Sequence, residues 1–168
     1  RIGRDHLTGL LDRNGLFDVL ERKLYEQAEV LAMTIDIDGF RDINERFGNP
    51  VGDKVLRQIA VRLADVAKDA LATARIGDDE FAILLPATDG DARTASVARD
   101  AIRTISEPID LADAHLSVGA AIGIAAAPRD GTTAGNIMYR SSLALSHAKA
   151  LGSGSYRFYE PRMGTAIE

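Results

Sequence analysis

The chain has 168 residues, of which 46% are hydrophobic and 27% are charged, and its formal net charge is −5. This length and composition suit one soluble globular domain with a core of ordinary size. The absence of cysteine excludes disulfides and thiolate metal sites, and the acidic balance argues against non-specific binding of nucleic acid. Since no apolar run approaches the roughly 20 residues that span a bilayer, we expect no transmembrane helix in this segment.

The first part of the chain predicts helices on either side of one buried strand. Asn14 is expected to cap a helix over about 15–28, whose leucines recur with four-residue spacing on one face. The near-continuous apolar run at 30–37 is typical of a strand buried on both faces. After a short helical turn, apolar residues at helical spacing predict a second long helix over about 51–68.

A β-hairpin with an acidic tip is predicted next. The alternating runs Leu71–Ile76 and Phe81–Leu85 are joined through a Gly-Asp pair, and both residue types tolerate the positive φ of a tight turn. Residues 78–80 add three consecutive carboxylates, which repel one another unless a cation neutralises them. The tip is therefore either a divalent-metal site or a solvated acidic turn.

Two more carboxylates stand at the end of the buried strand. Asp36 and Asp38 are two residues apart, so their side chains point the same way in an extended chain. Strand ends are where α/β folds place their chemistry. Asp36 and Asp79, from neighbouring strands, are therefore predicted to share a hard cation such as Mg²⁺ through oxygen ligands.

The second half of the chain continues the alternation of helices and strands. A third helix is expected over about 91–106 and is stopped by Pro108. Leu116–Ala127 indicates a central strand or strand pair, 133–150 a fourth helix, and Ser155–Tyr159 a closing strand. This order, with one hairpin, favours a mixed α/β layer fold over a simple doubly wound sheet.

Five motifs, taken in order along the chain, resemble those of the GGDEF domain of diguanylate cyclases. They are Asp5–Leu10, Asp36–Asn44, Gly52–Leu56, Gly77–Phe81 and Ala148–Gly152. The resemblance covers essentially the whole chain and implies a GGDEF domain over 1–160, with 161–168 as the start of a linker. It also implies the palm-like, ferredoxin-like mixed sheet of nucleotidyl cyclases, flanked by helices, with the signature on the hairpin.

The resemblance implies a reaction in which two GTP molecules are joined into cyclic di-GMP. Each domain would hold one GTP, so the active species would be a transient homodimer. Mg²⁺ or Mn²⁺ would be ligated by Asp36, the Ile37 carbonyl, Asp79 and Glu80. Glu80 would also lie near the attacking hydroxyl, and the catalytic set would comprise Asp79, Glu80 and Arg41.

The same resemblance assigns the substrate-binding residues. Asn44 and Asp53 would read the guanine edge, while Arg41 and Lys149 would hold the β- and γ-phosphates. The remaining positions would line the phosphate site through their backbone: Gly39, Phe40, Gly77 and Asp78. In isolation, Asn44, Asp53 and Lys149 would each be ordinary polar residues of helices, and Phe40 suits packing as well as ligand contact.

Several positions depart from the family pattern. Asp78 replaces the second Gly of the signature, 152–154 read Gly-Ser-Gly in place of Gly-Arg-Asn, and Asn49 replaces a His. Ser141-Ser142 replaces Ala-Asp. The product-inhibition motif Arg-x-x-Asp reads Lys-Asp-Ala-Leu at 68–71, so we expect no cyclic di-GMP feedback there.

These departures predict a degenerate domain that binds GTP and Mg²⁺ and has weak or no cyclase activity. The alternatives are an active diguanylate cyclase and a nucleotide-free dimerisation module. The tail Phe158–Met163 resembles the junction to a following EAL phosphodiesterase domain. We expect a cytoplasmic location, within a longer protein that is itself attached to a membrane or free of it.

Overall fold

The computed structural model describes residues 3–87, 90–112 and 114–165. The helices are α1 (Arg13–Tyr25), α2 (Phe40–Phe47), α3 (Asn49–Val66), α4 (Gly90–Ser106), α5 (Ala134–Leu151) and α6 (Arg162–Thr165). The strands are β1 (Val30–Asp38), β2 (Ala72–Arg75), β3 (Glu80–Pro86), β4 (Ile109–Leu111), β5 (Ala114–Leu116), β6 (Gly119–Ala127) and β7 (Tyr156–Phe158). In these parts of the chain, no helix is both long and apolar enough to cross a bilayer.

The main sheet has five strands in the order β2-β3-β1-β6-β7. The central strand β1 runs antiparallel to both neighbours, β3 and β6, while β6 and β7 are parallel. Strands β4 and β5 form a separate two-stranded hairpin. The predicted mixed α/β fold with a hairpin carrying the signature is confirmed, because β2 and β3 flank residues 76–79.

Helices cover the two faces of the sheet, and the alternation of β1 decides which face each side chain meets. Ile35 and Ile37 belong to a core shared with α3 and α4. Ala32, on the other face, packs in a core shared with α1 and α5. Asp36 has the same parity as Ala32, so its side chain lies on the α1 and α5 face.

Helix α5 lies directly against β6. A Cβ added to Gly123 would come within 3.0 Å of backbone atoms of Ser141 and Leu145, closer than real side chains approach. Only a glycine in β6 therefore allows this approach. Ile137, Leu145 and Ala148 are buried, as the helical spacing predicted.

The first helix begins earlier than predicted. Asp12, and not Asn14, is the N-cap, since its side chain accepts a hydrogen bond from the Gly15 N–H at 2.8 Å. Asn14 lies inside the first turn. Both residue types are good caps, so composition alone did not separate them.

The hairpin connection is longer than a two-residue turn. β2 ends at Arg75 and β3 begins at Glu80, and neither Gly77 nor Asp78 has a positive φ. The loop closes instead through the Ile76 and Gly77 N–H groups, which donate to the Glu80 carbonyl at 2.9 and 3.3 Å. The predicted tight turn with positive φ is therefore wrong, although the hairpin is correct.

Two elements were not predicted, the β4–β5 hairpin and the short helix α6. Met163 of α6 is fully buried, and α6 packs against α5. Residues 166–168 of the predicted linker lie outside the described residues. The division into 1–160 and 161–168 stays a prediction.

Candidate functional site

Three carboxylates gather where β1 ends and β3 begins. Asp36 and Glu80 are directly opposite each other in the antiparallel pairing of these strands, so their side chains share one face. Asp79 immediately precedes β3, and its carbonyl accepts a hydrogen bond from the Ile37 N–H at 3.0 Å. The structure thus brings together the two acidic segments that the sequence analysis connected.

The electrostatics of this group are unfavourable for its negative charges. Burial raises the pKa of Asp36, and the neighbouring Asp79 and Asp38 carboxylates raise it further, against the opposing effect of Lys149. Burial also raises the pKa of Glu80, with the charges of Asp36 and Asp79 adding to it. Carboxylates that destabilise one another in this way favour the approach of a cation.

Lys149 supplies one such cation from the last turn of α5. Its Nζ lies 3.4 Å from Asp36 Oδ2. The Lys149 side chain is 49% exposed, whereas that of Asp36 is 11% exposed, so the ammonium group covers the carboxylate from the solvent side. Helix α5 ends at once, with Gly152 as its C-cap at φ 109°.

The donor atoms fit a hard divalent cation by chemistry. Asp36, Asp79 and Glu80 offer only oxygen ligands, which Mg²⁺ and Mn²⁺ prefer. As they stand, no three Asp, Glu, His or Cys side chains of the described residues converge with the spacing of a metal cluster. The cation nearest to Asp36 in this group is the Lys149 ammonium.

A second part of the site lies between α2 and α3. The Asn44 side-chain oxygen is buried and has no hydrogen-bond partner among the described residues. Gly52 makes room for it, because a Cβ at this position would collide with the Asn44 amide and approach the Phe40 ring. Asp53, the next residue of α3, is half-buried. An unsatisfied buried oxygen beside an acidic residue suits a ligand that presents N–H donors.

The loop between β1 and α2 turns at a glycine. Gly39 has φ 86°, a left-handed conformation that glycine adopts without strain, and α2 begins there without a side-chain cap. Arg41 is exposed in the first turn of α2. The Phe40 side chain is buried in the core, so its ring is a packing group and only its backbone faces the loop.

One contact at the hairpin tip was missed by the sequence analysis. Arg75 donates to Asp5 Oδ1 at 3.1 Å and to the Asp78 carbonyl at 2.9 Å. Asp5 also accepts hydrogen bonds from Thr8 N–H and Oγ1 at 2.9 and 2.7 Å. Although burial opposes it, these hydrogen bonds and the Arg75 charge hold the pKa of Asp5 below its ordinary value. The signal was an arginine directly before an acidic tip.

A palm-like mixed sheet with carboxylates at the end of its central strand defines a nucleotidyl-cyclase type of domain. The family model "Diguanylate cyclase, GGDEF domain" matches residues 2–155. The chain therefore belongs to the GGDEF family of cyclic di-GMP signalling, which includes the diguanylate cyclases and generally uses Mg²⁺.

Similar proteins agree with this assignment. The chain is 32% identical over 95% of its length to the bifunctional diguanylate cyclase/cyclic di-GMP phosphodiesterase MucR of Pseudomonas aeruginosa, and covers 24% of that protein. It is 34% identical over 93% of its length to the diguanylate cyclase TpbB of the same species, and covers 37% of it. The solved GGDEF domain of TpbB superposes with a TM-score of 0.91, at 32% identity, covering 98% of both chains. The chain thus spans 24% and 37% of the lengths of these two curated relatives.

Proposed function

We propose that this domain binds GTP together with Mg²⁺ and acts as a regulatory GGDEF domain with weak or no cyclase activity. The observation that carries the proposal is the Asp36–Glu80 pair, in which Asp36 is buried and Glu80 half-buried, with Asp79 beside it and Lys149 against Asp36. Like charges that are removed in part from water cost stability, so their presence beside an apolar layer argues for a ligand.

Different residues of the site would bind different parts of the nucleotide. Asn44 and Asp53 would bind the guanine edge, and Gly52 leaves the room that the Asn44 side chain occupies. Lys149 and Arg41 would bind the outer phosphates, with the backbone of Gly39 lining the turn. Bound Mg²⁺ would supply charge neutralisation for the carboxylates and the phosphates together. Asp36, the Ile37 carbonyl, Asp79 and Glu80 would hold it.

Two features support weak catalysis. Asp78 is exposed at the tip, and its carboxylate would repel a nearby triphosphate by up to about 4 kcal/mol at 4 Å and an effective dielectric of 20. Ser153, where the family has a phosphate-binding Arg, lies against Gly119 and carries no charge. The loss of one charge-assisted contact costs on the order of 1.5 to 3 kcal/mol.

Calorimetry with GTP and Mg²⁺, paired with an assay for cyclic di-GMP, tests the proposal. Binding without product supports the regulatory function. Turnover supports the alternative, an active cyclase that joins two GTP across a transient homodimer and tolerates Asp78. The absence of binding and of product supports a dimerisation module instead.

The variant Asp78→Gly tests whether the carboxylate at position 78 weakens GTP binding. Because it removes the carboxylate and restores the small residue, GTP affinity is expected to rise. Unchanged or weaker affinity would show that the charge at position 78 is not the obstacle.

At the level of the whole protein, we propose that an EAL phosphodiesterase domain follows and that GTP binding here tunes it in the cytoplasm. The relative MucR is named for both activities. Cyclic di-GMP hydrolysis by the full-length protein, measured with and without GTP, tests this. A full-length sequence that lacks a phosphodiesterase domain after Glu168 would contradict it.

A further inference from the structure

The contact between Lys149 and Asp36 has the character of an exchangeable ion pair. A single distance of 3.4 Å joins Nζ to Oδ2, and half of the lysine side chain is exposed. Lysine is a flexible point charge, and partly exposed pairs of this kind are weak. The ammonium group can therefore leave the carboxylate by side-chain rotation alone.

The backbone that carries Lys149 is, in contrast, fixed on the sheet. Ser141 Oγ is hydrogen-bonded to Thr34 Oγ1 of β1 at 2.6 Å and to the Gly123 carbonyl of β6 at 3.0 Å. Leu145 rests on Gly123. Lys149 lies about two turns after Ser141 in the same helix. Its backbone is therefore held within side-chain reach of Asp36, whether or not the ion pair is formed.

We propose that Lys149 is an internal counter-ion that holds the place of the divalent cation. In the nucleotide-free domain, the ammonium group neutralises the Asp36 carboxylate and disfavours binding of a metal ion alone. Lys149 would turn to the phosphates of a bound nucleotide and leave Asp36 open, so metal and triphosphate would bind cooperatively. This inference rests on the proposed function.

Electrostatic repulsion determines whether the Lys149 ammonium group or a divalent cation occupies the space beside Asp36. A divalent cation at Asp36 would meet the Lys149 charge within a few ångströms, and like charges at that distance repel strongly even when partly screened. The negative charges of a bound triphosphate would offset this repulsion, because both cations would be attracted to them. By linkage, the metal and the nucleotide must each strengthen binding of the other by the same factor.

The test measures Mn²⁺ binding in the absence of nucleotide, with the free ion monitored by electron paramagnetic resonance. Lys149→Met is expected to bind Mn²⁺ about tenfold more tightly than the wild type, since the competing charge is gone. Lys149→Arg keeps the charge and is expected to match the wild type. Asp36→Asn added to Lys149→Met should abolish the gain, which assigns the ion to Asp36.

Lys23→Met is the matched control. Lys23 also lies in the last turn of a helix and pairs with a carboxylate, Glu26, at 3.6 Å. However, α1 is followed by the start of β1 at Val30, whereas Asp36 lies near the end of that strand. Its Mn²⁺ affinity should equal that of the wild type. In parallel, GTP with Mg²⁺ is titrated into the wild type and Lys149→Met, and the variant is expected to bind the nucleotide more weakly.

The outcomes separate the two proposals. If the wild type binds GTP with Mg²⁺ but Lys149→Met gains no Mn²⁺ affinity, the counter-ion role is overturned and the proposed function stands. If Lys149→Arg gains as much as Lys149→Met, the charge is not responsible and the counter-ion role is again overturned. If the wild type binds no GTP with Mg²⁺, the proposed function itself fails, and the inference with it.

Discussion

Ser141 Oγ lies 2.6 Å from Thr34 Oγ1, and the two residues are 0% and 1% exposed. Either hydroxyl can donate, and Ser141 also bonds to the Gly123 carbonyl at 3.0 Å. A serine at this position thus ties α5 to both β1 and β6 by polar contacts within an apolar layer.

Ser141→Ala is expected to destabilise the domain by about 1 to 3 kcal/mol, because the Thr34 hydroxyl is left buried without its partner. Denaturant unfolding measures the change. The double variant Ser141→Ala/Thr34→Val should recover part of the loss, since neither hydroxyl then remains unsatisfied. Strictly additive losses in the double variant would contradict the pairing.

Gly52→Ala is expected to weaken GTP binding tenfold or more without loss of stability. The new Cβ would displace the Asn44 amide, while alanine is favoured over glycine within a helix by about 1 kcal/mol. Calorimetry and thermal unfolding give the two measurements. The control is Gly135→Ala in α5, where a Cβ meets nothing within 4 Å. Wild-type GTP affinity in Gly52→Ala would contradict a role for Asn44.

Arg75→Met is expected to loosen the segment before α1. Its guanidinium joins Asp5 to the Asp78 carbonyl, and loss of such charged hydrogen bonds costs on the order of 1.5 to 3 kcal/mol. Limited proteolysis near Gly9 and denaturant unfolding measure the effect.

Arg93→Met is the matched control for this prediction. Its ion pair with Asp69 is about half-exposed on both sides, so its loss should cost at most about 1 kcal/mol. Equal sensitivity of the two variants to protease would show that Arg75 has no special part in holding the segment.

Glu80→Gln is expected to stabilise the metal-free domain at pH 7. Burial and the charges of Asp36 and Asp79 raise the pKa of Glu80 above its ordinary value of 4.5. The native state therefore holds this proton more tightly than the unfolded state does. The stabilising contribution is complete below pH 4.5 and is lost as the pH rises through the raised pKa.

The advantage of the glutamine variant should accordingly grow with pH across that interval and vanish at its acidic end. Thermal unfolding at a series of pH values in chelator measures it, with Glu21→Gln on the exposed surface of α1 as the control. A wild type that is the more stable at neutral pH, or a difference independent of pH, would contradict the prediction.

Local periodicity sufficed to predict β1, α3, α4 and α5 to within a few residues, because each carries a clear apolar pattern. The expectation that Asp36 and Asp79 belong to neighbouring strands agrees with the pairing of β1 and β3, although Asp79 lies just before β3. The predicted N-cap of α1, Asn14, was wrong because Asp and Asn are equally good N-cap residues, and the structure uses Asp12.

Other parts of the site depend on contacts between distant residues that no local pattern contains. Asp5 and Arg75 are 70 positions apart. The buried position of the Asn44 oxygen follows from how α2 and α3 pack around Gly52, and the Lys149 contact follows from where α5 lies on β6. These relationships are set by tertiary packing, which periodicity does not encode.

The buried side chain of Met163 attaches the short helix α6 to the rest of the domain. Helix α6 packs on α5, and Arg140 of α5 lies over the Tyr159 ring at 5.7 Å. The residues that follow β7 are thus attached, through Met163 and Tyr159, to the same helix that carries Lys149.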